Sequence, residues 1–205
     1  MNRQVGYVVV MGVSGSGKTE IVRSVADATN ALWLDADDHH PVQNVEHMRR
    51  GQPLNDDMRW PWLDAVADAA HQKAASRAND HNGHNGQGVD TVFIACSALK
   101  RSYRDFLSRK LNPVTFVYLD GTREVILTRL ENRVGHFMPS TLLDSQLADL
   151  EPPGPDENCV TVSIDAPIDT VASTVAARLA AKGNHGSSIT KDKTAGEPAF
   201  QGEDE

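Results

Sequence analysis

Residues 8–20 read VVVMGVSGSGKTE, an apolar run that breaks into glycine and serine and resumes as lysine, threonine and glutamate. Gly12 to Thr19 match G-x-x-x-x-G-K-[ST], a pattern whose meaning depends on what flanks it. Ahead of it, residues 5–11 are short, apolar and β-branched, as a buried strand requires, while 17–29 carry apolar residues at helical spacing. Between a strand and a helix, the glycines let the backbone curl with its N–H groups pointing inward. The positive end of the following helix adds to that field, so the loop is built to hold an anion. The expected anion is the phosphate chain of a nucleoside triphosphate, held by Gly12, Ser14, Gly15, Ser16, Gly17, Lys18 and Thr19. Lys18 would reach the β and γ phosphates, and the Thr19 hydroxyl would bind Mg2+. A Gly-Ser turn without a ligand is the competing account, and the full match in its strand–helix context weighs against it.

Four further apolar runs, at 31–34, 91–96, 114–119 and 159–164, alternate with stretches of helical spacing. That alternation predicts an α/β fold on a mostly parallel sheet. Helices are expected at 17–29, 41–50, 58–78, 99–110, 122–132, 140–150 and 167–181, with Pro41 and Pro167 in first turns and Thr122 as an N-cap.

The 205 residues, 40% of them apolar, suit one domain, expected over 1–182. The formal charge of −8 argues against sequence-independent binding to nucleic acid, so any anion must be held locally. No stretch suggests a membrane span or a secretory leader, and a cytoplasmic protein is expected. Cys96 and Cys159 lie far apart in apolar runs, as reduced buried thiols would. The segment NDHNGHNGQG at 79–88 reads as a solvated loop, and its His81 and His84 lack the neighbours a metal site needs. From 183 to 205 there is little to bury, and a disordered tail is expected.

In an open parallel sheet, ligands gather at the carboxyl ends of the strands. After the second strand comes Asp35-Ala36-Asp37-Asp38-His39-His40-Pro41, and a carboxylate there can orient an acceptor hydroxyl and take its proton. Asp37 is the first choice for that role; Asp35 and Asp38 are equally well explained as caps of the next helix. Asn55 to Leu63 places Asp56, Asp57, Arg59, Trp60 and Trp62 together, a wall suited to a polyol, with Arg59 available to a carboxylate. A capped helix start with buried aromatics accounts for Trp62 better. After the third strand, Ser97, Lys100 and Arg104 are candidates for magnesium-bound water or the substrate. Arg129 and Arg133, four apart, share a helix face and could bracket a phosphoryl group in transfer, although an exposed basic face explains them too. His40 and His136 complete the acceptor-side candidates.

Taken together, MGVSGSGKT, the DAD…HP segment at 35–41, G-x-P-L-N-D-D at 51–57 with Arg59 and Pro-Trp-Leu at 61–63, CSALKRSYRD at 96–105 and RVGHF at 133–137 closely resemble the gluconate kinases. These are small P-loop kinases related in fold to shikimate kinase and adenylate kinase, and the resemblance spans about residues 5 to 182. It implies a five-stranded parallel sheet in the order 2-3-1-4-5 flanked by helices, with a mobile lid around 133–142 hinged near Gly135. It also implies transfer of the ATP γ-phosphate to the 6-hydroxyl of D-gluconate, with Mg2+. Asp37 then looks like the acceptor-side carboxylate, Arg59 looks placed for the sugar acid, and Arg129 and Arg133 resemble arginines that close over phosphates. His39, the 79–88 loop and the tail depart from the family pattern and leave regulation and oligomeric state, a homodimer included, open.

Three other readings compete. A kinase of this fold acting on another sugar acid or small alcohol stays open, because fold does not fix the acceptor. A nucleotide-sensing regulatory module would need no acceptor pocket, against the paired acids and arginines. A nucleoside monophosphate kinase would need a phosphate-holding arginine set in the acceptor region, where the candidates along 35–63 are chiefly acids.

Overall fold

The computed structural model describes residues 5–79, 90–131 and 140–186. Five strands form one sheet: β1 (Val5–Met11), β2 (Leu32–Asp35), β3 (Asp90–Ala95), β4 (Val114–Asp120) and β5 (Cys159–Ser163). They lie in the order β2-β3-β1-β4-β5, and every pair is parallel. Among the described residues seven α-helices accompany them: α1 (Lys18–Thr29), α2 (Val42–Arg49), α3 (Asp56–Asn79), α4 (Arg101–Lys110), α5 (Arg123–Glu131), α6 (Ser140–Asp149) and α7 (Ile168–Gly186).

The period of two along β1 divides the core between the sheet faces. Tyr7, Val9 and Met11 pack with Trp62, Leu63 and Val66 of α3 and Leu107 of α4, while Val8 and Val10 pack with Ile21 and Val25 of α1, Leu143 of α6 and Val171 of α7. Both faces are therefore covered, which is why the strands read as unbroken apolar runs.

Several boundaries follow from capping. Asn55 accepts from the Met58 N–H through its side chain and from the Arg59 N–H through its carbonyl, so α3 begins at Asp56 rather than at 58. The Thr122 hydroxyl and carbonyl cap α5, as expected. Pro41 and Pro167 each stand one residue ahead of the expected position: their carbonyls accept the first helical bonds, from Val45 and Val171. A short 3-10 turn, Ala36–His39, follows β2, and nothing in the hydrophobic spacing announced it. The last helix continues past residue 182, the expected domain edge, to Gly186. The tail from 187, the 80–88 part of the Asn/Gly/His loop, and Arg133, Gly135 and His136 of the expected lid lie outside the described residues. The last stretch of that expected lid is the start of α6, where Leu142 is buried.

Arg104 corrects a sequence-based expectation. It is 1% exposed and holds Glu157 through Nε and Nη2, while Nη1 donates to the carbonyls of Ala98 and Leu99 at 3.3 and 2.9 Å. Four of its five N–H donors are spent inside the protein, tying the β3–α4 turn to the segment before β5, and burial keeps the group from facing a substrate. The hydrogen bond from Arg104 holds the Glu157 carboxyl below the usual glutamate range. Stability from this pair is therefore full above that ordinary range and lost as pH falls through the depressed value. Arg104→Ala leaves a buried carboxylate unpaired and is expected to cost about 3 kcal/mol of folding stability. Urea denaturation at neutral pH checks it, and the deficit should shrink in acid, where Glu157 protonates.

Candidate active site

The glycine loop joins β1 to α1 with the geometry the motif demands. Gly15 has φ +84, and a Cβ there would lie 2.7 Å from Leu130 Cγ; Gly17 caps α1 in a left-handed conformation at φ +93. Both positions need glycine for backbone shape, and Gly15 needs it for space as well. The Gly12 N–H donates to the Ser97 carbonyl at 3.2 Å, which fastens the loop to the end of β3. Lys18 Nζ reaches the Val13 carbonyl at 3.0 Å. Ser16 is fully buried, and its hydroxyl has no hydrogen-bond partner among the described residues.

The Thr19 hydroxyl donates to Asp35 Oδ2 at 2.6 Å, while Asp35 Oδ1 accepts from the Asp37 N–H at 3.0 Å. Asp35 thus does more than cap: it joins the glycine loop to the turn that carries Asp37. The Asp37 side chain is 79% exposed, at the carboxyl end of β2, with His40 Nε2 3.8 Å away. His40 is stacked on Trp62 with ring centroids 4.2 Å apart, its Nδ1 buried without a partner. Burial pushes the His40 pKa down, and neighbouring Asp37 only partly opposes this, so the imidazole favours its neutral form. Trp62, expected to be structural, is buried and donates through Nε1 to the Ala36 carbonyl at 2.7 Å.

Beyond Asp37 lies a network of charge. Lys100 Nζ is 2.8 Å from Asp56 Oδ1 and 3.7 Å from Asp149 Oδ1. Arg59 Nη1 donates to Asp149 Oδ2 at 2.8 Å and to the Tyr103 hydroxyl at 3.0 Å, and that hydroxyl donates in turn to Asp56 Oδ1. The Lys100 hydrogen bond, then the Tyr103 one, holds the Asp56 carboxyl below its usual value. Burial works against the charge on Arg59, but the bonds to Tyr103 and Asp149 outweigh it and raise its pKa. Asp57, its neighbour in sequence, is exposed and takes no part.

Arg129 enters the site from beneath. Nη1 donates to the Ser16 carbonyl at 3.1 Å, and Nη2 to the carbonyls of Ile164 and Ala166 at 2.6 and 2.8 Å. In this structure it braces the glycine loop against the β5–α7 turn, where bracketing of a phosphate was expected. Its intended companion, Arg133, and His136 lie outside the described residues.

Three participants were not found by reading the sequence. Tyr103 and Asp149 hold Arg59, and Gln146 Oε1 accepts the Ser14 N–H at 2.7 Å. Gln146 and Asp149 are three apart on α6, yet nothing local marks them, because their partners lie 132 and 90 positions away. Cys96 is buried, its thiol pushed up to about 12 by burial, which removes it as a nucleophile.

Hard oxygen donors suit Mg2+, and the Thr19 hydroxyl beside the Asp35 carboxylate is such a set. No group of three or more His, Cys, Asp or Glu able to hold a metal occurs among the described residues, so phosphate and water oxygens would have to supply most of the coordination. No helix among the described residues is long and apolar enough to cross a membrane.

No protein-family model matches the chain. Relatives are nevertheless similar over most of its length. A thermoresistant gluconokinase of Escherichia coli (strain K12) is 46% identical over 170 residues, covering 82% of this chain and 90% of the relative. The gluconokinase of Gluconobacter oxydans (strain 621H) is 41% identical over 165 residues, 80% and 86% of the two chains. Among solved structures, a gluconokinase from Sinorhizobium meliloti 1021 superposes with a TM-score of 0.73 at 38% identity, covering 91% of this chain and 99% of that one. At 41–46% identity over four fifths of its length, the chain belongs to the gluconokinase family of P-loop kinases.

Proposed function

We propose that this chain transfers the γ-phosphoryl group of ATP to the 6-hydroxyl of D-gluconate, giving 6-phospho-D-gluconate and ADP. The observation that carries the reading is the shared edge: the glycine loop, Asp37 and the Arg59–Lys100 pair all stand at or just beyond the carboxyl ends of β1, β2 and β3. The family supplies the acceptor's identity, and the site supplies a rationale. Asp37 is an exposed carboxylate for the hydroxyl that attacks, and Arg59 and Lys100 are cations for the acid at the far end of the sugar chain.

In this reading the glycine-loop N–H groups and Lys18 bind the β and γ phosphates, and Lys18 stabilises the charge that spreads over the phosphoryl group as it leaves ADP. Thr19, with Asp35 behind it, would hold Mg2+, which when bound neutralises phosphate charge. Asp37 orients the 6-hydroxyl and accepts its proton. His40, neutral against Trp62, lines the acceptor side. Ser97 meets the loop through its carbonyl, and its hydroxyl stands as a candidate contact for metal-bound water. The kinase domain is taken as 1–182 and the remainder as a tail.

Lys18→Ala is expected to lower kcat by about a hundredfold or more, with the melting temperature little changed. A coupled ADP-release assay alongside thermal unfolding measures both. Asp37→Asn should reduce kcat by about a hundredfold while KM for ATP moves little, whereas Asp38→Asn should do far less. In the same assay, D-gluconate should outperform shikimate and nucleoside monophosphates. Turnover of a nucleoside monophosphate in preference to gluconate would sink the assignment.

A further inference from the structure

The chain engages Arg59 in one particular way. Its side chain is 11% exposed on the first turns of α3, and its partners among the described residues all meet the same nitrogen, Nη1: Tyr103 Oη at 3.0 Å, Asp149 Oδ2 at 2.8 Å and, more distantly, Asp56 Oδ1 at 3.8 Å. A guanidinium is a rigid plane with two hydrogens on each Nη and one on Nε, so one hydrogen to Tyr103 and one to Asp149 saturate Nη1. Nε and Nη2 have no partner among the described residues, nor are they among the buried polar atoms left without one. Only the Nε–Nη2 edge can therefore receive a carboxylate in the parallel two-bond arrangement that gives arginine its selectivity.

We propose that Asp149 and Tyr103 are positioning residues for acceptor recognition: they clamp Arg59 through Nη1 and so present its Nε–Nη2 edge as the fork for the acceptor's carboxylate. This rests on the reading of Arg59 as a ligand of the gluconate carboxylate. Both clamps are themselves fixed. Tyr103 is 2% exposed, and its hydroxyl proton is committed to Asp56, so its lone pair faces Arg59. Asp149 ends α6 immediately before an anchored segment, where the Glu151 N–H donates to the Leu99 carbonyl at 3.0 Å and the Glu151 carboxylate accepts the Arg101 N–H at 2.6 Å. The second oxygen of Asp149 faces Lys100, which keeps its carboxylate plane aligned with both cations. The clamp also neutralises Arg59 while the acceptor is absent, and a partly buried cation needs such a partner.

The clamp acts on the acceptor through Arg59, and a double-mutant cycle reads that coupling directly. Steady-state kinetics on the full chain would compare Asp149→Ala, Asp149→Asn, Arg59→Ala and the Arg59→Ala/Asp149→Ala pair. Arg59→Ala should raise KM for gluconate by about tenfold or more, as loss of a charged two-bond contact does. Asp149→Ala should raise it in the same direction, and Asp149→Asn, whose amide oxygen still accepts from Nη1, should restore part of the loss. Changes in kcat and in KM for ATP should be smaller, and the double variant should be no worse than Arg59→Ala.

Additive effects in the double variant, or equal losses in kcat and in ATP affinity, would overturn the clamp in favour of a general structural role. A lower KM for gluconate in Asp149→Ala would also overturn it, making Asp149 a competitor of the acceptor. Should Asp149→Ala fold poorly, Tyr103→Phe makes the same test from the other side of Nη1. If Arg59→Ala leaves the gluconate KM at the wild-type value, the reading of Arg59 itself falls, and the clamp with it.

Discussion

Every strand of this sheet runs the same way, and β1 sits at its centre with β3 on one side and β4 on the other. A parallel sheet sends all its strand-to-helix loops off one edge, so residues far apart in the chain are brought to a common rim. That constraint sets the Gly12 N–H against the Ser97 carbonyl and brings Thr19 within hydrogen-bond reach of Asp35. It also explains why side chains from α3, α4 and α6 share one ionic network although their sequence positions have nothing in common. The fold supplies the meeting point, and the chemistry depends on which side chains stand there.

The chain's charge of −8 gives no general attraction for phosphates, so each cation near the site is held individually. Three arginines show three solutions. Arg104 is closed off by a buried carboxylate and two carbonyls and serves the fold. Arg129 makes three hydrogen bonds, all to carbonyls, and has no acidic partner among the described residues, close to the glycine loop. Arg59 is neutralised on one nitrogen only. Composition cannot distinguish these cases, because the distinction lies in which of five N–H donors remain open.

The strands and the glycine loop were legible because each rests on short-range pattern: unbroken apolar runs for a sheet covered on both faces, helical spacing between them, and glycines where φ must be positive; the strand order came from the family resemblance. Thr122 as a cap and Trp62 as a core residue were legible for the same reason. The roles of individual polar side chains were less so. Arg104 and Lys100 follow the same strand in one basic stretch, yet one is sealed inside and the other reaches Asp56. Their separation follows from Glu157, 53 residues away from Arg104, which no local spacing foretells. Asp35 was expected to cap the helix beginning at Pro41; it caps instead the 3-10 turn after β2, and its other oxygen takes the Thr19 hydroxyl, a contact that needs β2 and the glycine loop to be neighbours across β3.

A loop shaped to offer N–H groups to an anion has to keep that shape when no anion is bound, and unpaired polar groups inside a protein are costly. Here side chains from later in the chain take up part of that demand. Gln146 accepts the Ser14 N–H, and Arg129 donates to the Ser16 carbonyl, so α5 and α6 hold the glycine loop in its curled form from opposite ends of its hydrogen-bonding capacity. Under the proposed function, a phosphate oxygen would compete with the Gln146 amide oxygen as acceptor of the Ser14 N–H. Asp149 lies on the same helix as Gln146, so the element that supports the loop also carries the carboxylate that holds Arg59. The glycine loop and the Arg59 network are thus joined through one ten-residue helix as well as through the sheet edge, and the geometry of each depends on where that helix is packed.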